Sequence, residues 1–288
     1  HPGTIELAAA CDLDTRKAET FCRQFGFARA FGDMDAMLEE VRPDACVCVM
    51  PVNLIVQVGE VLLERGVPSL LEKPPGATLA EVERLASAAE QTGTPHMISV
   101  NRRFMPLLNR AIRWARERGP IQFVDAAVCR TGRTEPDFVW STGIHSIDAS
   151  RHIGGEVVDY DVRVLRDGLS ANWYEITFRF ASGGAGRLRM FTTCGLLEES
   201  YHIYGEEYCA RFSTDVSSGA TCRCWERGVM TVDEDTADEP PDVICGAYGE
   251  VEELVDALTS GRCPRPTVQD VLPSARIGFG IFAEVTGE

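Results

Sequence analysis

The chain has 288 residues, 44% of them apolar and 25% charged, a composition typical of a folded globular protein with one large or two ordinary domains. Its formal net charge of −16 would repel nucleic-acid phosphates and anionic membrane surfaces, so we expect neither as a partner. No apolar run reaches the roughly 18–20 residues of a membrane span. No basic and then apolar leader opens the sequence, so we expect a cytoplasmic protein.

The eleven cysteines occur singly or as C-x-C pairs. None has a second Cys or His at a spacing typical of zinc ligands, so we expect no metal site. Cys46 and Cys48 alternate within a strand-like run, as small apolar core side chains do. Such unpaired thiols favour a reducing compartment.

The first hundred residues alternate between strand and helix signals. Strand-like runs occur in "TIELAAACD", "ARAF", "DACVCVM", "VPSLLEK" and "PHMISV", and the last two helical segments between them are "LIVQVGEVLLERG" and "TLAEVERLASAAEQTG". This alternation predicts right-handed βαβ crossovers and a parallel sheet covered on both faces. We therefore predict an α/β Rossmann-like domain over residues 1–100, with "DACVCVM" as a buried strand.

The pattern changes after residue 100. "FMPLLNRAIRWARERG" predicts one amphipathic helix, and "GIHSIDASRHIGG" predicts a short one. The runs "VVDYDVRVL", "WYEITFRFA", "GRLRMFTTC", "EESYHIYG" and "EYCARFS" alternate with period two and are separated by turns, and two helical segments close the chain. We predict an α+β domain with a large, mostly antiparallel sheet over residues 101–288.

Asp12 ends the first strand-like run. In a dinucleotide-binding sheet, an acid at this position accepts hydrogen bonds from the adenosine ribose, whereas elsewhere such an acid commonly caps a helix, as the nearby Asp14 could. The glycine-rich turn that holds the pyrophosphate should precede this acid by about 20 residues, but only eleven residues precede Asp12. Either the sequence starts inside a Rossmann half or the protein has lost its phosphate cradle, so we predict an N-terminally incomplete parallel sheet.

Lys73 lies in "LLEKPPGATLAE", at the carboxyl end of a predicted strand. Open α/β sheets bind their ligands at this edge, and Pro74 restricts the backbone of Lys73 to extended conformations. A partly buried lysine there would have a lowered pKa and could transfer protons. The alternative, which spacing alone favours, is a surface lysine at a strand end.

His145 and Asp148 lie three residues apart in "GIHSIDASRHIGG" and would share one helix face. Imidazole suits acid–base chemistry near neutral pH. The alternative is a core histidine whose ring an acid orients. We predict structural roles for His152, His96 and His202.

"NRRFMP" places Arg102 and Arg103 directly after the last α/β strand, near the predicted domain junction. Two arginines there could bind a substrate hydroxyl or carboxylate, or they could pair with acids of this acidic chain. The sequence favours neither alternative.

In this order, the motifs resemble the glucose–fructose oxidoreductase / inositol dehydrogenase (Gfo/Idh/MocA) family over nearly the whole chain. The matching segments are "AACDLD", Pro51 after "CVCVM", "EKPPGATLAE", "NRRFMP", "GIHSID" and "YGEVEELVDALTSGRCP". The resemblance implies a Rossmann domain followed by a domain whose large sheet forms a homo-oligomer interface. It also implies oxidation or reduction of a sugar or polyol hydroxyl with NAD or NADP.

Carried over to this sequence, the resemblance implies that Lys73 and His145 handle the proton of the reacting hydroxyl. It implies a cofactor site of Asp12, Pro51, Glu72 and Lys73, in which Asp12 favours NAD over NADP.

For the substrate, we expect contacts from Arg102, Arg103, Asp148 and Ser141. Ser141 stands where the family frequently has an aspartate, four residues before the histidine, and it supplies no charge. The expected function is therefore an NAD(P)-dependent oxidoreductase. The alternatives are a non-catalytic member that binds a ligand or partner, or a relative that cleaves glycosides through transient oxidation.

Overall fold

The computed structural model describes residues 5–215, 219–236 and 238–287. Residues 1–4, with which the predicted first domain begins, lie outside the described part.

Short strands and helices alternate over the first hundred residues, as predicted. Asp14 and Thr78 start two of the helices, because each side chain accepts a hydrogen bond from a backbone N–H in the first turn. The strands are β1 (Ala9–Cys11), β2 (Arg29–Phe31), β3 (Cys46–Cys48), β4 (Ser69–Leu71) and β5 (His96–Ile98), and the helices are α1 (Thr15–Phe25), α2 (Met34–Val41), α3 (Val52–Glu64) and α4 (Leu79–Thr92).

These strands form two parallel sheets rather than one. One has the order β1-β2 and the other β3-β4-β5. They correspond to the two flanks of a doubly wound sheet of order 3-2-1-4-5-6, in which strand 1 lies between them. Cys48 of β3 is buried, but Val47 on the same strand and Val49 just after it are 57% and 77% exposed. The prediction of a buried strand is therefore correct for only one face of "DACVCVM", since no described element covers the face that carries the two valines.

The second half of the chain forms an eight-stranded sheet of order β13-β12-β11-β10-β6-β9-β8-β7. All neighbouring strands are antiparallel except β6 and β9, which confirms the mostly antiparallel sheet. The period-two runs in the sequence predict β7 to β11 but not β6, β12 or β13. The strands are β6 (Phe123–Cys129), β7 (Val157–Leu165), β8 (Trp173–Phe180), β9 (Ala185–Phe191), β10 (Glu198–Gly205), β11 (Tyr208–Asp215), β12 (Gly219–Glu226) and β13 (Val229–Asp235).

Helices cover one face of this sheet, and its inner side chains, such as Tyr201, Phe178 and Phe212, are fully buried. The segment "FMPLLNRAIRWARERG" is not one helix: a 3-10 turn spans Asn101–Phe104 and α5 starts at Pro106, because the residue before a proline avoids helical geometry. The helices are α5 (Pro106–Arg116), α6 (Phe138–Ser141), α7 (Ile144–Gly154), α8 (Pro241–Ile244), α9 (Ala247–Thr259) and α10 (Val268–Thr286).

The last helix joins the two halves of the chain. Val268, Val271 and Ala275 of α10 are buried in the apolar core of the first half, among side chains of α3 and α4. Ile281, further along α10, lies in the core beneath the eight-stranded sheet. Among the described residues, no helix combines the length and apolar character that a membrane span requires.

Candidate functional site

The carboxyl ends of three parallel strands carry the residues expected at a cofactor. Asp12 directly follows β1, Pro51 precedes α3 just after β3, and Glu72 and Lys73 follow β4. The Asp12 carboxylate is exposed, and its Oδ1 accepts a hydrogen bond from the Asp14 backbone N–H over 2.8 Å. Asp12 therefore supports the turn before α1 and leaves its carboxylate accessible.

The ammonium of Lys73 reaches from β4 to α6. Its Nζ donates a hydrogen bond to the carbonyl oxygen of Ser141 over 3.2 Å, so Ser141 contacts Lys73 through its backbone. Burial lowers the pKa of Lys73; Glu72 opposes this shift, while Arg102 and Arg133 add to it. An ammonium has three N–H donors, and the other two have no partner among the described residues.

His145 lies in the first turn of α7, close to the end of α6. Gly143 makes this approach possible, because a Cβ there would collide with the Val139 carbonyl oxygen and the Met190 side chain. The imidazole of His145 is only 9% exposed, and its Nδ1 has no hydrogen-bond partner among the described residues. Burial first, and then the positive charges of Arg102 and Lys73, hold the pKa of His145 well below its ordinary value. The ring is therefore neutral at pH 7 and can accept a proton.

A buried carboxylate holds two arginines beside this histidine. Glu199 accepts hydrogen bonds from Arg102 Nη2 over 2.5 Å and from Arg102 Nε over 3.1 Å, and it also pairs with Arg130 Nη2. Burial acts to raise the pKa of Glu199, but the two guanidinium groups outweigh it and lower this pKa to about 2. Glu199 is therefore ionised, and it joins the turn after β5 to the inner face of the eight-stranded sheet.

Arg103 and Asp148 form a second ion pair between the same two regions. Arg103 Nε and Nη2 donate to the two Asp148 oxygens over 2.7 and 2.8 Å, and the Ser274 hydroxyl donates to Asp148 Oδ1 over 2.8 Å. Asp148 is fully buried. Both carboxylate oxygens therefore already have hydrogen-bond partners within the protein. These bonds hold α7 between the turn after β5 and α10.

Two further acids lie in this region, Glu72 beside Lys73 and Glu250 within the electrostatic reach of Glu72 and Arg102. Burial raises the pKa of Glu72, although Lys73 opposes this shift. Glu250, on α9, accepts a hydrogen bond from the Ser99 hydroxyl over 2.9 Å, and its Oε1 is buried without a partner among the described residues. Burial is also the main cause that raises the pKa of Glu250 to about 8, so this carboxyl group is protonated at neutral pH.

Sequence reasoning missed three charged residues of this region: Glu199, Arg130 and Glu250. A usable signal was present for the first two. Glu199 is in phase with the inward side chains of β10, and Arg130 continues the inward phase of β6. A charged residue at an inward position requires a buried partner. Glu250 has no comparable signal, because helices commonly carry glutamates on their exposed faces.

No group of three or more His, Cys, Asp and Glu side chains suited to a metal ion occurs within residues 5–215, 219–236 and 238–287. The geometry instead gathers a neutral imidazole, a lysine with a lowered pKa and two paired arginines at the carboxyl edge of a parallel sheet.

Residues 1–100 match the model of the GFO_IDH_MocA family, described as an oxidoreductase family with an NAD-binding Rossmann fold. This match confirms the resemblance found in the motifs, and the description of the family names NAD, the expected cofactor.

Curated relatives of the chain are sugar dehydrogenases. It is 27% identical over 164 residues to a D-apiose dehydrogenase of Paraburkholderia graminis, covering 53% of this chain and 44% of that protein. It is 28% identical over 100 residues to a D-glucoside 3-dehydrogenase of Escherichia coli, covering 35% of this chain and 28% of that protein. The chain thus spans less than half the length of these two relatives.

Solved structures share the whole fold. A dehydrogenase from Chromobacterium violaceum superposes with a TM-score of 0.86 at 22% identity, covering 97% of this chain and 88% of that chain. An oxidoreductase from Agrobacterium radiobacter, solved with NAD⁺, L-tartaric acid and magnesium, has a TM-score of 0.82 at 18% identity, covering 98% and 89%. At these identities the likeness establishes the fold and not the substrate.

The residues present fit two ends of an NAD molecule. The exposed carboxylate of Asp12 at the tip of β1 suits the hydroxyls of the adenosine ribose. At the nicotinamide end, Lys73 has two N–H donors without an acceptor in the described part of the chain, and it lies between Glu72 and the segment leading to His145.

Proposed function

We propose that this protein is an NAD-dependent oxidoreductase that transfers a hydride between nicotinamide and a hydroxyl-bearing carbon of a sugar, a polyol or a related small molecule. The observation that carries this proposal is the hydrogen bond from Lys73 Nζ to the Ser141 carbonyl oxygen. It joins residues 68 positions apart in the sequence and brings the "EKP" motif to the segment that leads into His145. The family match and the sugar dehydrogenase relatives support the same reaction.

In the proposed reaction, His145 removes the proton of the substrate hydroxyl. A neutral imidazole is required for this step, and burial together with neighbouring positive charge keeps the pKa of His145 low enough. Lys73 donates a hydrogen bond to the same oxygen and stabilises the negative charge that develops on it. When bound, NAD supplies the carbon that accepts the hydride.

The ion pairs around the site orient these two groups. Asp148 lies one turn after His145 on α7, and its bonds to Arg103 and Ser274 fix the rotation of this helix. Arg102 donates to Glu199 through Nε and Nη2 and to Asn101 Oδ1 through Nη1, and we propose that the second N–H of each terminal nitrogen contacts the substrate. By the same proposal, Arg103 and Asp148 support the site by holding α7, and Ser141 supports it by holding Lys73 through its backbone carbonyl group. Pro51 and Glu72 line the cofactor.

We also propose that the protein acts in the cytoplasm and assembles as a homo-oligomer. All eleven cysteines are unpaired, which supports a reducing compartment such as the cytoplasm. The face of the eight-stranded sheet away from the helices carries the ring pairs Phe123–Tyr204 and Trp173–Phe191, and we propose that it is the contact surface of a homo-oligomer. Light scattering on the purified protein tests this, since a monomer at micromolar concentration would contradict it.

Two measurements on the full-length protein test the proposed reaction. NADH fluorescence titration should show saturable binding, and a screen of sugars and polyols with NAD should identify a substrate whose turnover Lys73→Met and His145→Ala reduce. Tight NADH binding without turnover of any substrate would contradict the reaction and favour a non-catalytic member that binds a ligand.

A further inference from the structure

The positive charges that surround His145 outnumber the negative ones. The charges that act on the imidazole are those of Arg102, Lys73 and Arg130. Among the described residues, Glu199 is the carboxylate that pairs with both arginines. Lys73 donates to a neutral carbonyl group and has the partly buried Glu72 beside it. Three cations thus face two carboxylates.

This excess does not follow from the composition of the chain, whose formal net charge is −16. Because an uncompensated charge away from water is costly, such charges are normally paired or hold a ligand of opposite sign. The side chains of Arg102 and Arg130 are only 15% and 16% exposed. Solvent therefore compensates them only in part.

Donors without an acceptor among the described residues remain on each cation of the cluster, including the second N–H of Arg102 Nη1 and of Arg102 Nη2. Arg130 uses Nη1 for the carbonyl oxygens of Cys129 and Glu198 and Nη2 for Glu199, and its Nε–H has no acceptor among the described residues. Two N–H donors of Lys73 likewise have no acceptor in the described ranges. Guanidinium and ammonium groups with free N–H donors are suited to bind a carboxylate.

We propose that the substrate is a sugar acid, whose carboxylate binds in the cluster of Lys73, Arg102 and Arg130 while one of its hydroxyl groups faces His145. This inference rests on the proposed oxidoreductase function and specifies its substrate class. The carboxylate completes the charge balance of the cluster, and its position relative to the reacting hydroxyl selects which carbon is oxidised.

Matched pairs of substrates test the proposal. On the full-length enzyme with NAD, we expect kcat/KM for D-gluconate or D-glucuronate to exceed that for sorbitol or D-glucose by about tenfold or more, the ratio expected for a charge-assisted hydrogen bond. This preference should fall as the NaCl concentration rises, because salt screens the attraction. D-glucose 6-phosphate is the third arm: preference for it alone would overturn the assignment to a carboxylate.

Substitutions test whether the preference for sugar acids arises from the cluster of Lys73, Arg102 and Arg130. Arg130→Gln should lower the ratio of acid to neutral kcat/KM by about tenfold, and Glu199→Gln should raise it by removing a competing carboxylate. Arg276→Gln, which breaks an exposed pair with Glu83, is the control and should leave the ratio unchanged. If the cluster variants do not fold, the salt dependence of the acid-to-neutral kcat/KM ratio in the wild-type enzyme tests the proposal instead.

The outcomes separate this inference from the proposed function. Turnover of neutral sugars as fast as of sugar acids would overturn the inference and leave the oxidoreductase in place. If no compound is turned over, thermal unfolding of the NADH complex decides: stabilisation by D-gluconate but not by D-glucose supports the anion site, and no difference between them overturns it.

Discussion

Lys73 and Ser141 are joined by one hydrogen bond, in which the Lys73 Nζ donates to the Ser141 carbonyl oxygen over 3.2 Å. The bond connects the end of β4 to the last residue of α6, and α7, which carries His145, begins three residues later. The acceptor is a backbone group, so a different side chain at position 141 leaves the contact in place. The distance between the two motifs is therefore set by the backbone.

We expect His145→Ala and Lys73→Met each to reduce kcat by about 10²- to 10⁴-fold, the usual contribution of a positioned acid or base. NADH affinity should change little for His145→Ala, because the ring contacts the substrate hydroxyl in the proposed reaction. Steady-state kinetics and NADH fluorescence measure the two quantities. His152→Ala, on the same helix but bonded to Asn109, is the control and should keep the wild-type rate.

Ser141→Asp should move the acid limb of the pH–rate profile upward. The wild-type limb lies below the ordinary His pKa of about 6.5, since burial and positive charge lower the pKa of His145. A carboxylate at position 141 would stabilise the protonated forms of His145 and Lys73 and shift the limb by about one pH unit. Ser141→Asn is the uncharged control, and an equal shift in both variants would count against an electrostatic cause.

Asp148→Asn should destabilise the fold by about 3–5 kcal/mol, because it leaves the Arg103 guanidinium without its buried counter-charge. Urea unfolding measures this difference. Asp233→Asn removes an exposed partner of Arg223 and should cost at most about 1 kcal/mol. Comparable losses in the two variants would show that Asp148 has no special structural role.

The stability of the protein should fall as the pH rises from about 4.5 to about 8, in part because of Glu250. Its pKa is about 8 in the folded protein and about 4.3 in an unfolded chain. Between these values only the folded state holds the proton, so this group lowers the free energy of unfolding by up to about 1.4 kcal/mol per pH unit. Glu250→Gln should reduce the slope by this contribution, as urea unfolding at several pH values will show.

Glu253→Gln on the same helix is the matched control for that slope. Arg262 lowers the pKa of Glu253 through its hydrogen bonds, so this group stays ionised in both states above about pH 5. The variant should keep the wild-type slope. If the slope survives in Glu250→Gln, the dependence arises elsewhere in the protein.

Asp12→Asn should weaken discrimination between the two nicotinamide cofactors. The amide keeps an oxygen that can accept the bond from the Asp14 N–H, but it no longer repels a 2′-phosphate. We expect the ratio of NADP to NAD kcat/KM to rise by about tenfold, the equivalent of 1.4 kcal/mol. Asp14→Asn exchanges one good N-cap for another and should leave the ratio unchanged.

The sequence was sufficient for the architecture and for the two motifs that meet at Lys73. Period-two runs and helix caps depend on local side chains, so β7 to β11 and the helix caps Asp14 and Thr78 could be predicted. β12 was missed because its inward side chains, Ala220, Cys222 and Cys224, are small and give only a weak period-two hydrophobic signal. The pairing of Glu199 with Arg102 joins residues 97 positions apart, and no local pattern specifies such a partner.

The position of α10 in both apolar cores has a consequence for synthesis on the ribosome. The Val268 N–H donates to His96 Nε2 across 172 residues, and Val271 and Ala275 complete a core that β3 to β5 and their helices otherwise leave open. The first half of the chain therefore emerges long before its last core residues are made. During that interval, Leu85 and its apolar neighbours on α4 stay partly uncovered, because α10 is the helix that packs against them.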